Sequence, residues 1–214
     1  MNILTELHQT IRDCSKCGLC KERTQAVPGE GNPHADIMFI GEGPGKNEDL
    51  KGEPFVGAAG KFLNELLASI GLERKDVFIT NVVKCRPPGN RDPEKDEVAS
   101  CYPYLEEQVR LIQPKLIILL GRHAMYRFLP NDLKISEVHG KAFRYKGIAT
   151  ETQIFLPLYH PAVALYNGSY RGILLEDFAT IPALIKKIAS EQERVHKGTS
   201  QHEAVDQLTP LIKE

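Results

Sequence analysis

The sequence predicts an α/β fold: a three-layer sandwich with a central, mostly parallel four-stranded sheet and helices on both faces. Two observations predict it. Four short apolar runs rich in Ile, Val, Leu and Phe read as strands covered on both sides. Helical patterns separate those runs, and strand–helix alternation is how an open, mostly parallel sheet is built. A length of 214 residues suits one such domain with a sizeable core.

The expected strands are 36–40 (DIMFI), 77–83 (VFITNVV), 116–120 (LIILL) and 154–158 (IFLPL). Between the first two, residues 58–71 put Phe62, Leu63, Leu66, Leu67 and Ile70 on one stripe and end at Gly71. A second helix is expected over 93–112, with Asp92 as N-cap and Pro93 in the first turn. Its apolar face carries Val98, Leu105, Val109 and Ile112. Further helices are expected over 124–129 and 174–188. Residues 1–189 read as a single domain, and 190–214 as a polar tail with Ala204, Leu208 and Leu211 at marginal helical spacing.

Composition narrows the function. The balance of 42% hydrophobic and 26% charged residues is that of an ordinary globular protein. No run is apolar for long enough to cross a bilayer, and MNILTELHQT lacks the basic start and apolar stretch of a signal peptide. A net charge of −1 means that any nucleic-acid contact must come from a local basic patch. Five cysteines without a secretory signal point to a reducing cytosol and to metal rather than disulfides.

The cysteines have a definite arrangement. Cys14 and Cys17 form a close pair near the N-terminus, Cys85 follows the second strand, and Cys101 sits within the second helix. That set suits four-thiolate ligation of zinc or of an iron–sulfur cluster, and would tie the N-terminal arm to the body. Cys20 continues the spacing and competes for a ligand place.

In a parallel sheet, ligands bind beyond the carboxyl ends of the strands. Gly41-Glu42-Gly43-Pro44-Gly45 and then Glu48 follow the first strand, Asn81 and Lys84 lie near the end of the second, and His160-Pro161-Ala162 follows the fourth. The glycines, Gly41 and Gly43 among them, allow tight backbone and close ligand approach. This loop is not a P-loop, because GxxxxGK[ST] is absent. A carboxylate, an amide and an imidazole at one sheet edge are what an active site needs.

Four blocks in order, GEGPGKNED, PFVGAAGKFLNELL, ITNVVKCRPPGNRDP and YHPA, together with the cysteine arrangement, resemble the family 4 uracil-DNA glycosylases. The resemblance spans about residues 4–188 and leaves only the tail unexplained. It implies a structural [4Fe–4S] cluster on Cys14, Cys17, Cys85 and Cys101, with Cys20 at a variable position. It implies excision of uracil from single- or double-stranded DNA by a monomer in the prokaryotic cytosol, through flipping of the nucleotide into a pocket.

The resemblance also assigns roles. Phe55 is the platform for the base. Asn81 offers a donor and an acceptor to O4 and N3–H of uracil, a pattern that cytosine reverses at a cost of roughly 2–6 kcal/mol. His160 donates to O2, where negative charge develops, a contact worth about 3–4 kcal/mol in a dry site. Other uracil glycosylases carry Asp where this chain has Gly43, which leaves Glu42 as the first candidate for positioning water and Glu48 as the second.

DNA contacts are expected from a basic group including Lys61, Lys84, Arg86 and Arg91, and from free N–H groups at the helix start 57–60. Leu165 and Tyr166 are placed by resemblance as a minor-groove wedge. Two other readings make contrary demands. A relative that stays covalently attached to DNA needs a histidine after the Asn81 strand, where this chain has PPGNRDP. A noncatalytic DNA-binding or redox module would hold metal and release no base.

Overall fold

The computed structural model describes residues 3–150, 152–196 and 209–210. Its sheet has seven strands among the described residues: β1 (Glu30–Gly31), β2 (Ile37–Gly41), β3 (Phe78–Asn81), β4 (Leu116–Leu120), β5 (Phe143–Lys146), β6 (Thr152–Leu158) and β7 (Thr209–Pro210). They lie in the order β1-β3-β2-β4-β6-β5-β7. The four expected strands form the parallel centre, β3-β2-β4-β6.

The sheet is mixed and wider than the expected four strands. Antiparallel β1 joins one side, and β5 and β7 the other. The additions carry almost no sequence signal. β1 and β7 are two residues each, and β5 (FRYK) is only partly buried. Pro210 is tolerated in a strand at the sheet's edge, where a missing N–H costs no ladder bond.

Nine helices are described: α1 (Ile3–Arg12), α2 (Lys46–Lys51), α3 (Ala58–Ser69), α4 (Lys95–Ile112), α5 (Arg122–Met125), α6 (Ile135–Val138), α7 (Val163–Tyr166), α8 (Ser169–Ala179) and α9 (Ile181–His196). Alternation along the strands splits the core in two. Met38, Ile40, Ile117 and Leu119 face α1 and α4 residues such as Leu4, Ile11, Leu105 and Val109. Ile37, Phe39, Ile118 and Leu120 face Leu63, Leu66, Phe178 and Leu184 on the other side. Each such fully buried side chain contributes about 1.5–3 kcal/mol, so the expected three layers stand.

Three helices differ from expectation, one of them α5, which lies at Arg122–Met125 where 124–129 was expected. Asp92 does not cap α4; Glu94 does, in a capping box with Glu97. The expected helix over 174–188 is two helices. Pro182 has no N–H for the preceding turn, and the Thr180 hydroxyl bonds the Asp177 carbonyl at 2.7 Å, so the chain turns at Thr180. Ala204, Leu208 and Leu211 lie outside the described residues.

Lys84 is not a DNA contact. It is 1% exposed, and its Nζ donates to Thr80 Oγ1 at 2.6 Å, Gln108 Oε1 at 2.7 Å and the Asn81 carbonyl at 2.8 Å. Burial pushes its pKa down to about 7, with the Cys101 sulfur pulling the other way. The sequence shows only a lysine one residue past the expected strand 77–83, and the three acceptors come from β3 and α4. Lys84→Met should cost about 2–4 kcal/mol in urea unfolding, because it leaves buried acceptors unpaired. A loss below about 0.5 kcal/mol, the size of an ordinary surface change, would contradict this.

Candidate active site and cysteine centre

Parallel register brings the carboxyl ends of β2 and β3 level, with Gly41 opposite Asn81. With the ends of β4 and β6 they floor a cleft of about 640 Å³. Glu42, Gly43, Glu48, Phe55, Asn81 and His160 all line it. The backbone at its wall is held unusually close. A Cβ on Gly41 would sit 2.4 Å from Asn81 Oδ1 and 2.8 Å from the Phe55 ring, so only glycine fits there.

Phe55 itself has φ of 51°, an uncommon conformation for a bulky residue. Neighbours over-determine it. Arg74 donates to the carbonyls of Pro54 and Phe55 at 2.6 and 3.2 Å. A Cβ on Gly60 would meet the Phe55 carbonyl oxygen at 1.7 Å. The ring then stacks on His160 at 5.5 Å between centroids.

His160 is held in one tautomer. Its Nδ1 accepts the Ala162 N–H at 3.1 Å, so the neutral ring carries its proton on Nε2. Burial lowers its pKa to about 4, with Glu48 opposing. The ring is therefore a neutral Nε2–H donor throughout the physiological range.

The two glutamates separate. Glu48 Oε1 accepts the N–H groups of Val56 and Gly57, each at 2.9 Å. It holds the turn carrying Phe55, and it occupies the first of the helix-start donors expected to be free for phosphate. Glu42 is different. Its Oε1 is buried with no hydrogen-bond partner among the described residues. Burial and the nearby Asp92 raise its pKa to about 7, against Arg127 and Arg122.

Around the cleft, Lys61 is exposed in the first turn of α3. Arg86 is partly buried and bonds Asn90, while Arg91 makes a two-pronged pair with Glu97. Leu165 and Tyr166 on α7 are 51% and 91% exposed. Sequence reasoning passed over His123, which follows β4 and lines the same cleft. The strand-end rule that selected the other three ends applies here too, but no distinctive motif drew attention to it.

The thiols converge away from the cleft, in one hollow lined by all five cysteines with Arg23, Lys84 and Tyr104. Cys14 lies two residues past α1, Cys17 precedes the 3₁₀ turn Gly18–Lys21 and Cys20 lies within it, and Cys85 and Cys101 are buried in the body. Cys85 Sγ accepts from Arg23 Nη1 at 3.0 Å and Cys101 Sγ from the Lys84 N–H at 3.2 Å. Such donors suit sulfurs that carry negative charge. Burial alone would keep these thiols protonated, raising Cys85 to about 11 against the pull of Arg23, so a cation is needed to ionise the set.

Among the described residues, no three cysteine sulfurs lie within 4.8 Å of one another, whereas Glu42, Asp92 and His123 do. Four sulfurs on one tetrahedral zinc would be about 3.8 Å apart, given Zn–S of about 2.3 Å. The described sulfurs are spread more widely than that.

Comparison with known proteins places the chain in a family. Residues 28–179 match the family model described as the uracil DNA glycosylase superfamily. A type-4 uracil-DNA glycosylase of Sulfurisphaera tokodaii is 53% identical, covering 86% of this chain and 86% of its own. The Saccharolobus solfataricus type-4 enzyme is 52% identical over 85% of this chain and 86% of its own, and that of Archaeoglobus fulgidus 48% identical over 87% and 96%. With a matching model over most of its length and relatives at this identity, the chain belongs to the type-4 family of the uracil DNA glycosylase superfamily.

Proposed function

We propose that this chain removes uracil from DNA, hydrolysing the N-glycosidic bond of a flipped deoxyuridine and leaving an abasic site for base-excision repair. The observation that carries the reading is the fixed Nε2–H tautomer of His160 in the cleft that also holds Phe55 and Asn81. A neutral donor in the cleft lining favours the anion that forms, more than the ground-state carbonyl.

Bond cleavage leaves the C1′–N1 electron pair on uracil, with charge at O2 beside His160. The water oxygen bonds to C1′, and its proton passes to the Glu42 carboxylate. Asn81 reads O4 and N3–H, and Phe55 stacks on the base. Glu48 serves by holding the Phe55 turn. Lys61, Arg86 and Arg91 form the phosphate-facing patch, and the exposed Leu165 and Tyr166 fill the gap in a duplex. A single-stranded substrate needs no such wedge, so both forms of DNA are substrates for a cytosolic monomer whose catalytic unit is residues 1–189.

Cys14, Cys17, Cys85 and Cys101 would hold a [4Fe–4S] cluster, Cys20 lying beside it. When bound, the cluster supplies a structural cross-link. Hydrolysis moves no electrons, so its place is to pin the N-terminal arm to the loop carrying Arg86 and Arg91.

Single-turnover assay of a labelled U·G oligonucleotide, with alkali to cut abasic sites, tests the reading. Release from U but not from T or C is expected, with His160→Ala slower by about 100-fold or more. No release by iron-replete protein would overturn the function, and an unchanged His160→Ala rate would remove that residue from it. Because Glu42 must be ionised and its pKa is raised to about 7, the rate should rise with pH up to about 7 and level off above. His160, neutral above about 4, adds no second limb in that range. Glu42→Gln should be slow and flat with pH; a surviving limb near 7 would assign it elsewhere. Cys85→Ala should lose iron and the visible colour, whereas Cys20→Ala keeps both; normal iron in Cys85→Ala would undo the ligand set.

A further inference from the structure

We propose that His123 is a positioning residue for Glu42, its Nδ1–H holding the Glu42 carboxylate at the face from which water attacks. This rests on the reading of Glu42 given above. His123 stands three residues past the end of β4, on α5, and among the described residues makes no hydrogen bond to Asn81 or His160.

The geometry fixes which ring nitrogen faces the carboxylates. Arg122 Nε is a permanent donor and reaches His123 Nε2 at 3.1 Å. The neutral ring must then carry its proton on Nδ1. That nitrogen lies 3.4 Å from Glu42 Oε1 and 3.5 Å from Asp92 Oδ2. Both distances exceed a formed N–H···O bond of about 2.9–3.0 Å, so both carboxylates stand near this nitrogen with neither bonded to it.

Glu42 Oε1 is the atom left buried without a hydrogen bond, and His123 Nδ1–H faces it. Catalytic hydrogen bonds of this kind are often long without substrate and tighten when it is bound. A metal ion at the same three residues is a poorer account, because a protonated Nδ1 has no lone pair to give.

The surrounding charges agree with this role. Asp92 from the loop before α4, and Arg122 and Arg127 from the chain after β4, face Glu42 together with His123. The same Asp92, Arg122 and Arg127 act on His123, where burial has the largest effect and lowers its pKa. A neutral donor holds a carboxylate without fully discharging it as a base. Asp92, 70% exposed, lies at a similar distance from the same nitrogen.

A double-mutant cycle in single-turnover uracil release tests the proposal. His123→Ala should slow the chemical step about 10-fold or more with unchanged DNA affinity, and shift the midpoint of the acidic limb. His123→Asn, whose amide N–H lies near the place of Nδ1, should recover most of the loss. In a Glu42→Gln background, His123→Ala should add less than twofold. A His123→Ala rate within twofold of the parent, while Glu42→Gln is slow, overturns the positioning role and leaves the Glu42 reading standing. Equal losses from His123→Ala in both backgrounds, or no rescue by Asn, also overturn it. A parental rate for Glu42→Gln sinks the Glu42 reading, and this inference with it.

Discussion

A single buried ammonium connects the parts of this molecule. Lys84 Nζ satisfies Thr80 and the Asn81 carbonyl at the end of one central strand and Gln108 on the helix packed across it. Gln108 in turn donates to the Pro28 carbonyl at 2.7 Å, and the Lys84 carbonyl accepts the Val27 N–H at 2.7 Å. The Lys84 N–H reaches Cys101 Sγ. One residue therefore fixes the strand end that presents Asn81, the entry of the chain into the domain and the wall of the thiol hollow. A charge withdrawn from water is tolerated only if every donor is used, and that requirement leaves the elements around it little freedom.

The same physics, loss of water, sets the chemistry of the cleft. Burial favours the neutral form of any ionisable group. It drives His160 down and Glu42 up, so two residues with opposite charge tendencies become a neutral donor and a carboxylate close to half-ionised at neutral pH. Neither effect is built from specific ion pairs. The close packing of Gly41 against Asn81 and Phe55, and the strained Phe55 held by Arg74, fix the shape of this wall.

The cysteine hollow is separate from the cleft, yet the two share an element. The loop leaving Asn81 carries Lys84 and Cys85, then Arg86 and Arg91 toward the cleft, before α4 brings Cys101 back to the hollow. A cluster bound by the proposed thiols would restrain this loop at its two ends in the folded chain. That economy explains why thiols far from any reacting bond belong to the design of the site.

The parallel centre, the two-sided core and the strand-end position of the site were legible in the sequence, because hydrophobic period and motif order are local properties. Glu42, Gly43, Asn81 and His160 could be picked out beside the strand ends, and they do meet in one cleft. Other features follow only from distant segments meeting. β1, β5 and β7 exist because neighbours offer them free backbone groups, not because their own residues demand a strand. Lys84 reads as a surface cation until Gln108, 24 positions away, arrives beside it. Glu48 reads as a catalytic carboxylate until the Phe55 turn folds onto it. Asp92 reads as a helix cap until His123 and Glu42 surround it. The sequence by itself determined which backbone would form and where chemistry would gather. Tertiary structure decided which charged groups are buried, paired or left facing the cleft, because desolvation and hydrogen bonding depend on what surrounds an atom in space.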